Sequence, residues 1–361
     1  MWFCSDSTSR RPCVTILAEK TDIIFPGLGI HFKNVGDGFS IFGFRIAYYG
    51  VCIAIAMVVG YLVAEFQAKR TRQNPEMYLD FAVFAVIVSV ICARLYYVAF
   101  AWDKFKDKPI SILNLRTGGL AIYGGIIGGI TCAVIYSRRK RINMGKFCDT
   151  AIVGLLTGQI IGRWGNFFNR EAFGSYTKGP FRMLLNVKDV WWQFDPASSE
   201  EAVRAEYEGK TVALNRVLEI RNNTVERSGE TYVSVHPTFL YESFLNLCLL
   251  IIILLYTKKK KANGELVFMY VAGYGAIRFF VESLRSDQLL LWGTGLAVSQ
   301  LLSIAMFIVG VSMIIYLRIK KTLTNEEKAE LGMLTEKDRE EAAKAALVET
   351  EKADTEEKNP L

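Results

Sequence analysis

Residues 237–261 read PTFLYESFLNLCLLIIILLYTKKKK, an apolar run that carries one acid near its start and closes on four lysines. At a rise of 1.5 Å per residue, about 20 mostly apolar residues span the hydrocarbon core of a bilayer, and this run is that long. A cluster of lysines at its end marks the side of the membrane on which positive charge is retained.

The same pattern recurs along the chain. Apolar stretches at about 43–65, 77–101, 118–137, 146–168, 237–257, 264–284 and 296–318 predict seven membrane spans. Basic clusters follow alternate ends: Lys69, Arg70 and Arg72 after the first span, Arg138 to Arg141 after the third, Lys258 to Lys261 after the fifth, and Arg318, Lys320 and Lys321 after the seventh. All of these charges then lie on one side, which predicts an outside N-terminus and a cytoplasmic C-terminus. The expected fold class is therefore an all-α polytopic membrane protein with seven transmembrane helices and a small extracytoplasmic segment between spans four and five.

Composition agrees. Of 361 residues, 51% are hydrophobic and 22% charged, and the mean hydropathy is positive, which excludes a wholly disordered chain. The net charge is +7, but residues 326–361 hold twelve acids and six bases, so the excess of positive charge belongs to the rest of the chain. Three regions follow: an extracytoplasmic N-terminal segment at 1–42, a seven-helix domain at 43–320 that includes an extracytoplasmic insertion at 169–236, and a charged cytoplasmic tail at 321–361. Within the insertion, Thr231–Val235 has strand character. The short apolar run Val14–Ala18 predicts no cleaved secretory signal. Cys52, Cys92, Cys132, Cys148 and Cys248 sit singly in apolar runs and read as small packing residues; Cys4 and Cys13 carry no assignment.

An ionisable side chain inside a span costs about 2.5–3.5 kcal/mol on insertion scales, so each needs a reason. In span six Tyr274, Arg278 and Glu282 recur every four residues and share one helix face. Arg163, Asn166 and Arg170 follow helical spacing at the end of span four, with Glu171 just beyond. Tyr49, Tyr123, His236, Tyr241 and Glu242 lie at the matching depth of spans one, three and five, so the polar groups converge on the outer third of the bilayer. Two guanidiniums brought there from different helices form a suitable clamp for a phosphate, because each offers a two-pronged donor fork and keeps its charge. A phospholipid headgroup is the phosphate available at that depth. The overlapping G-x-x-x-G spacings Gly124/Gly128 and Gly125/Gly129 predict close helix packing, and they also leave room beside Tyr123 for a lipid or peptide chain.

Other classes fit less well. A secondary transporter for an anionic solute is the main alternative, but it would place polar groups near the bilayer midplane within an inverted repeat. The spans hold no Ser/His dyad, paired Asp or H-E-x-x-H for proteolysis. The basic clusters are short and follow span ends, so they do not mark a nucleic-acid partner. His31 and His236, the two histidines, lack metal-ligand spacing, so neither a metal nor another cofactor is expected.

The stretch Gly162-Arg163-Trp164-Gly165-Asn166-Phe167-Phe168-Asn169-Arg170-Glu171-Ala172-Phe173-Gly174 closely resembles the G-R-x-G-N-F-x-N-x-E-x-x-G signature of the prolipoprotein diacylglyceryl transferases. Tyr48-Tyr49-Gly50, Ala93 to Tyr97, Gly118 to Gly125, His236 to Glu242 and Gly273 to Glu282 support the resemblance in order, over roughly residues 24–320. It implies a seven-pass fold in a bacterial plasma membrane, with the active site facing the outer leaflet. The implied reaction moves a diacylglyceryl group from phosphatidylglycerol to the thiol of the lipobox cysteine in a prolipoprotein signal peptide, releasing glycerol 1-phosphate. It places essential residues at Arg163 and Asn166, a structural glycine at Gly174, and later and earlier motif residues at Tyr274, Arg278 and Tyr49. Arg163 and Arg278 would hold the phosphate, Asn166 and Tyr274 would add hydrogen bonds, and Glu171 and Glu282 would orient the arginines. Many members carry histidine where this chain has Tyr123; a phenol titrates near pH 10 and is a poor base at neutral pH. The base is therefore left unassigned: Tyr123 is kept among the catalytic residues as a group that hydrogen-bonds the substrate, and His236 is read as a positioning residue that is also a candidate base.

Overall fold

The computed structural model describes residues 21–106, 108–115, 118–190, 192–207, 211–286, 297–320, 323–324 and 327–328. The tail beyond 328, and Cys4 and Cys13, lie outside them. Chain order is β1 (Thr21–Phe25), β2 (Ile30–Val35), β3 (Gly38–Ile41), β4 (Phe44–Ala47), α1 (Tyr48–Arg70), α2 (Glu76–Phe100), α3 (Ile122–Lys140), α4 (Met144–Asn169), β5 (Met183–Asn186), α5 (Glu200–Glu206), α6 (Thr211–Asn222), β6 (Val225–Arg227), β7 (Glu230–Val235), α7 (Thr238–Tyr256), α8 (Glu265–Leu284) and α9 (Val298–Lys320).

A long helix occupies each of the seven apolar stretches. Five of these helices, α1, α2, α7 with the turn after it, α8 and α9, are long and apolar enough to cross a membrane. Their outward surfaces support that use. On α2, Val83, Phe84, Val86, Ile87, Ile91 and Leu95 are all exposed, a continuous apolar face that water would not favour and lipid would.

The fold is mostly helical rather than all-α. The first described segment and the segment between α4 and α7 supply a five-stranded antiparallel sheet of order β2-β1-β5-β7-β6. Its register pairs Ile23 with Leu185 and Leu185 with Val233. Because side chains alternate across a strand, Ile23, Phe25, Met183, Leu185, Val233 and Val235 point to one face, where Val203, Val217 and Ile220 of α5 and α6 cover them together with Phe167, Phe173 and Phe239. Ile24, Leu184 and Tyr232 bury the opposite face. The strand expected at Thr231–Val235 is β7.

Chain contacts divide the protein into two units: Met1–Gly60, Gly154–Ile252 and Phe268–Ser312 form the first, and Tyr61–Val153, Ile253–Val267 and Met313–Leu361 the second. The first holds the sheet. There Arg170 departs from the helical face expected of it. The helix stops at Asn169, the Arg170 backbone turns left-handed, and its side chain pairs with buried Asp189 at 2.7 Å.

In the second unit α2 packs on α3 through the glycines. A Cβ at Gly124 would lie 2.4 Å from the Cys92 carbonyl, and one at Gly128 would lie 2.9 Å from the Cys92 side chain, whereas Gly125 and Gly129 have more room. Gly124/Gly128 is therefore the packing pair. Arg94 is fully committed: Nε donates to Ile112 O at 2.8 Å, Nη1 to Gly118 O and Gly119 O at 2.7 and 2.9 Å, and Nη2 to Ser111 O and Asn114 O at 2.9 and 3.0 Å. One buried guanidinium thus gathers the segment that links α2 to α3. Lys260, counted among the basic cluster, is buried against Asp149 at 2.8 Å, and Asp149 also accepts from the amides of Gly264 and Val267 at the start of α8.

Arg94→Lys supplies fewer donors in a different geometry and strands several part-buried carbonyls, which is expected to cost about 2 kcal/mol. The variant is expected to show a lower thermal midpoint in detergent and faster tryptic cleavage at Lys104 and Lys106; unchanged cleavage would contradict the clasp.

Candidate functional site

The site of the first unit is built where α4, α7 and α8 present polar groups within their apolar faces. On α8, Gly273 and Gly275 flank Tyr274. A Cβ at Gly273 would lie 2.5 Å from Leu249 of α7, and one at Gly275 would lie 2.8 Å from Ser303 O of α9. The small residues let α8 approach both neighbours closely, which brings its polar face within reach of α7.

At the centre is Glu242 of α7. Its Oε1 lies 2.6 Å from Arg163 Nη2 of α4, and its Oε2 lies 3.3 Å from Arg278 Nη1 of α8. Tyr274 donates its hydroxyl to Oε1 at 3.3 Å. Arg278 is held a second time, through Nη2, by Glu282 at 2.6 Å, as the four-residue spacing predicts. The side chain of Glu242 is 2% exposed, whereas those of Arg163 and Arg278 are 23% and 19% exposed. The carboxylate is a buried floor on which two partly open guanidiniums rest. One turn further along, Gln159 of α4 donates to the Tyr270 hydroxyl of α8 at 2.7 Å, and Tyr270 stacks on Tyr274 with ring centroids 5.6 Å apart.

Around this cluster the signature residues have distinct tasks. Asn166 and Asn169 both donate to Glu171 Oε1, at 3.2 and 3.1 Å. Glu171 thus braces the end of α4 through two amides, in place of the expected contact with an arginine. A Cβ at Gly165 would lie 2.6 Å from the Tyr49 ring, so that glycine lets Tyr49 pack flat against α4 beside Arg163. Gly174 donates its amide to His236 O at 2.8 Å, and a Cβ there would meet His236 Cβ at 2.7 Å and Leu284 O at 2.8 Å. Any larger residue would push apart the segments that open α7 and close α8. His236 Nδ1 lies 3.2 Å from the Tyr241 hydroxyl, and burial lowers its pKa, which favours the neutral ring.

The structure therefore brings Arg163, Tyr274, Arg278 and Glu282 into one network, sets Asn166, Glu171, Tyr49 and Gly174 in the supporting structure beside it, and places His236 at the start of α7. Tyr123 belongs to the second unit, half exposed, with its ring centroid 6.4 Å from that of Tyr96. Glu242 had no assigned role in the sequence reading. Its signal is nevertheless present: it is the acid inside the apolar run of 237–257, four residues after the helix start, at the depth of the arginines.

A family profile described as prolipoprotein diacylglyceryl transferase matches residues 38–316, which include every residue of this network. The chain belongs to the prolipoprotein diacylglyceryl transferase family. Among its relatives, a phosphatidylglycerol–prolipoprotein diacylglyceryl transferase of Clostridioides difficile (strain 630) is 36% identical over 282 residues, covering 78% of this chain and 95% of the relative. The protein of that name from Bacillus cytotoxicus is 36% identical over 275 residues, covering 76% and 89%, and that from Finegoldia magna is 34% identical over 291 residues, covering 80% and 98%. Membership of this transferase family sets aside the transporter alternative.

Glu242→Gln keeps the shape of the side chain and removes the charge both arginines share. Leaving two guanidiniums around a neutral amide is expected to cost about 3 kcal/mol, read as a lowered thermal midpoint of the purified protein, with Arg163→Gln in the same background restoring part of the loss. An unchanged midpoint would show that the carboxylate does not hold the cluster.

Proposed function

We propose that this chain transfers the diacylglyceryl group of phosphatidylglycerol to the cysteine thiol of a prolipoprotein lipobox, forming a thioether and releasing glycerol 1-phosphate. The observation that carries the reading is the convergence of Arg163 and Arg278 on one buried carboxylate, within a family whose named members act on these substrates.

The chemistry follows from charge. The lipid phosphate is a diester with one negative charge. When the cysteine sulfur attacks the glycerol CH₂, a carbon–sulfur bond forms and the carbon–oxygen bond breaks, and the electron pair leaves with the phosphate oxygen. The departing monoester gains negative charge. Donors already fixed where charge accumulates favour that state over the ground state, and need no reorganisation when it forms. Arg163 and Arg278, both held by Glu242 and Arg278 also by Glu282, are such donors, while Tyr274 and Asn166 brace the carboxylates beside them. Glu171 and Gly174 hold the end of α4 and the start of α7 in place, and Tyr49 packs beside the phosphate position.

The thiolate is the nucleophile, and nearby positive charge stabilises it. The thiol gives its proton to solvent water before attack, and the arginine pair favours the thiolate without a dedicated side-chain base. His236 is engaged with Tyr241, which suits a positioning role. For Tyr123 the family resemblance supports a place near the substrate, as a hydrogen-bonding group rather than a proton acceptor.

The membrane arrangement belongs to the same proposal. Beyond the five strongly apolar helices, α3 and α4, of 19 and 26 residues, are about 28 and 39 Å long and complete seven spans. Their polar groups are accommodated: Asp149 is neutralised by Lys260, and Arg163 by Glu242. Basic clusters at alternate span ends support an outside N-terminus and a cytoplasmic C-terminus. Arg163 and Arg278 each lie about 9 Å from the end of their helix and Glu242 about 6 Å from the start of α7, a depth that suits a headgroup phosphate of the outer leaflet in a bacterial plasma membrane.

The test is direct. Purified protein incubated with phosphatidylglycerol and a lipobox peptide is expected to yield thioether-linked diacylglycerol and free glycerol phosphate. Arg163→Lys, which retains charge but loses the fork, is expected to lower kcat/KM by about 100-fold or more with membrane insertion intact; full activity in that variant would overturn the clamp.

A further inference from the structure

Strands β3 and β4 form a separate two-stranded hairpin, with Phe39 opposite Ile46, Ser40 opposite Arg45 and Ile41 opposite Phe44. Directly opposed residues share a face. Phe39, Ile41, Phe44 and Ile46 therefore make one apolar face, and all four are exposed. The other face carries Ser40 and Arg45, with Arg45 paired to Asp37. The two-residue turn is Phe42-Gly43, both with positive φ, and Phe42 at its tip is 99% exposed.

A bulky aromatic residue is rare in left-handed backbone, and one held there entirely in the open has no partner among the described residues. What lies beside it names the partner. The hairpin runs without a linker into α1, whose first amide, Tyr48 N, donates to Asp37 O at the hairpin base at 2.8 Å. Phe39 packs on Tyr48 and Tyr48 on Phe168, with centroids 5.6 and 5.0 Å apart. The hairpin is thus fixed to the head of an apolar helix, beside the end of α4 that carries Arg163. On α1 itself Ile55, Val58 and Leu62 are exposed in the same manner.

We propose that this hairpin is a membrane-interface anchor, with Phe42, Phe44 and Ile41 inserted at the boundary of headgroups and acyl chains while Ser40 and Arg45 face the aqueous side. Its partner is a phospholipid surface, the same leaflet that supplies the lipid substrate. An element with one apolar and one charged face gains most by lying in that boundary plane, and aromatic rings are favoured at it. The anchor sets the depth of the head of α1, and through Tyr48 and Phe168 that of the end of α4. The inference rests on α1 crossing the membrane.

The full chain, carrying a benzophenone-bearing phenylalanine analogue at position 42, 55 or 226 in three separate preparations, would be reconstituted in vesicles of phosphatidylethanolamine and phosphatidylglycerol, irradiated and analysed by mass spectrometry. Position 55 reports the span and exposed Glu226 of β6 the aqueous background. The expected result is a lipid adduct at 42 approaching the yield at 55, and about tenfold or more above that at 226. Lipid adducts at 55 with none at 42, or a peptide adduct from a second copy at 42, would overturn the anchor alone. Absence of lipid at both positions would overturn the span and the anchor together.

Discussion

A carboxylate buried among apolar helices is tolerated only where positive charge surrounds it, and Glu242 meets that condition by taking one guanidinium from α4 and one from α8. The dependence runs both ways. Arg163 and Arg278 repel each other and would not share a small space without the carboxylate between them. Three helices of the first unit are thereby fixed by a single anion, and Gly273 and Gly165 remove the side chains that would hold the partners apart.

That constraint also prepares the chemistry. In the proposed reaction the arginines are positioned before any lipid arrives, so a phosphate would meet a pair of donors already held by Glu242 rather than flexible cations. The carboxylates of Glu242 and Glu282, paired with the arginines, let the cluster persist at low dielectric. In the proposed reaction, growth of charge on the leaving phosphate would strengthen its attraction to these donors at the moment when stabilisation is needed.

Much of this was legible in the residues. The apolar runs located all seven long helices to within a few positions, because apolar character of that length has few other uses. The start of span one was misplaced: residues 44–47 are β4, whose alternating Phe44, Arg45, Ile46 and Ala47 resemble a helix start when only hydropathy is read. The start of span three was early because Gly118 and Gly119 both adopt positive φ and precede α3. The five-stranded sheet was hidden by separation in sequence, since β1 and β5 lie some 160 residues apart and neither is longer than five residues. Within the site, spacing along α8 revealed Tyr274, Arg278 and Glu282, a local pattern. The role of Glu242 depends on contacts between three helices, which periodicity within one helix does not report.

The most direct test of the central claim is an experimental structure of the full chain with phosphatidylglycerol bound. Phosphate oxygens are expected within about 2.7–3.2 Å of guanidinium nitrogens from both Arg163 and Arg278, with Glu242 still between the two arginines. A phosphate held by one arginine alone, or bound away from both, would contradict it.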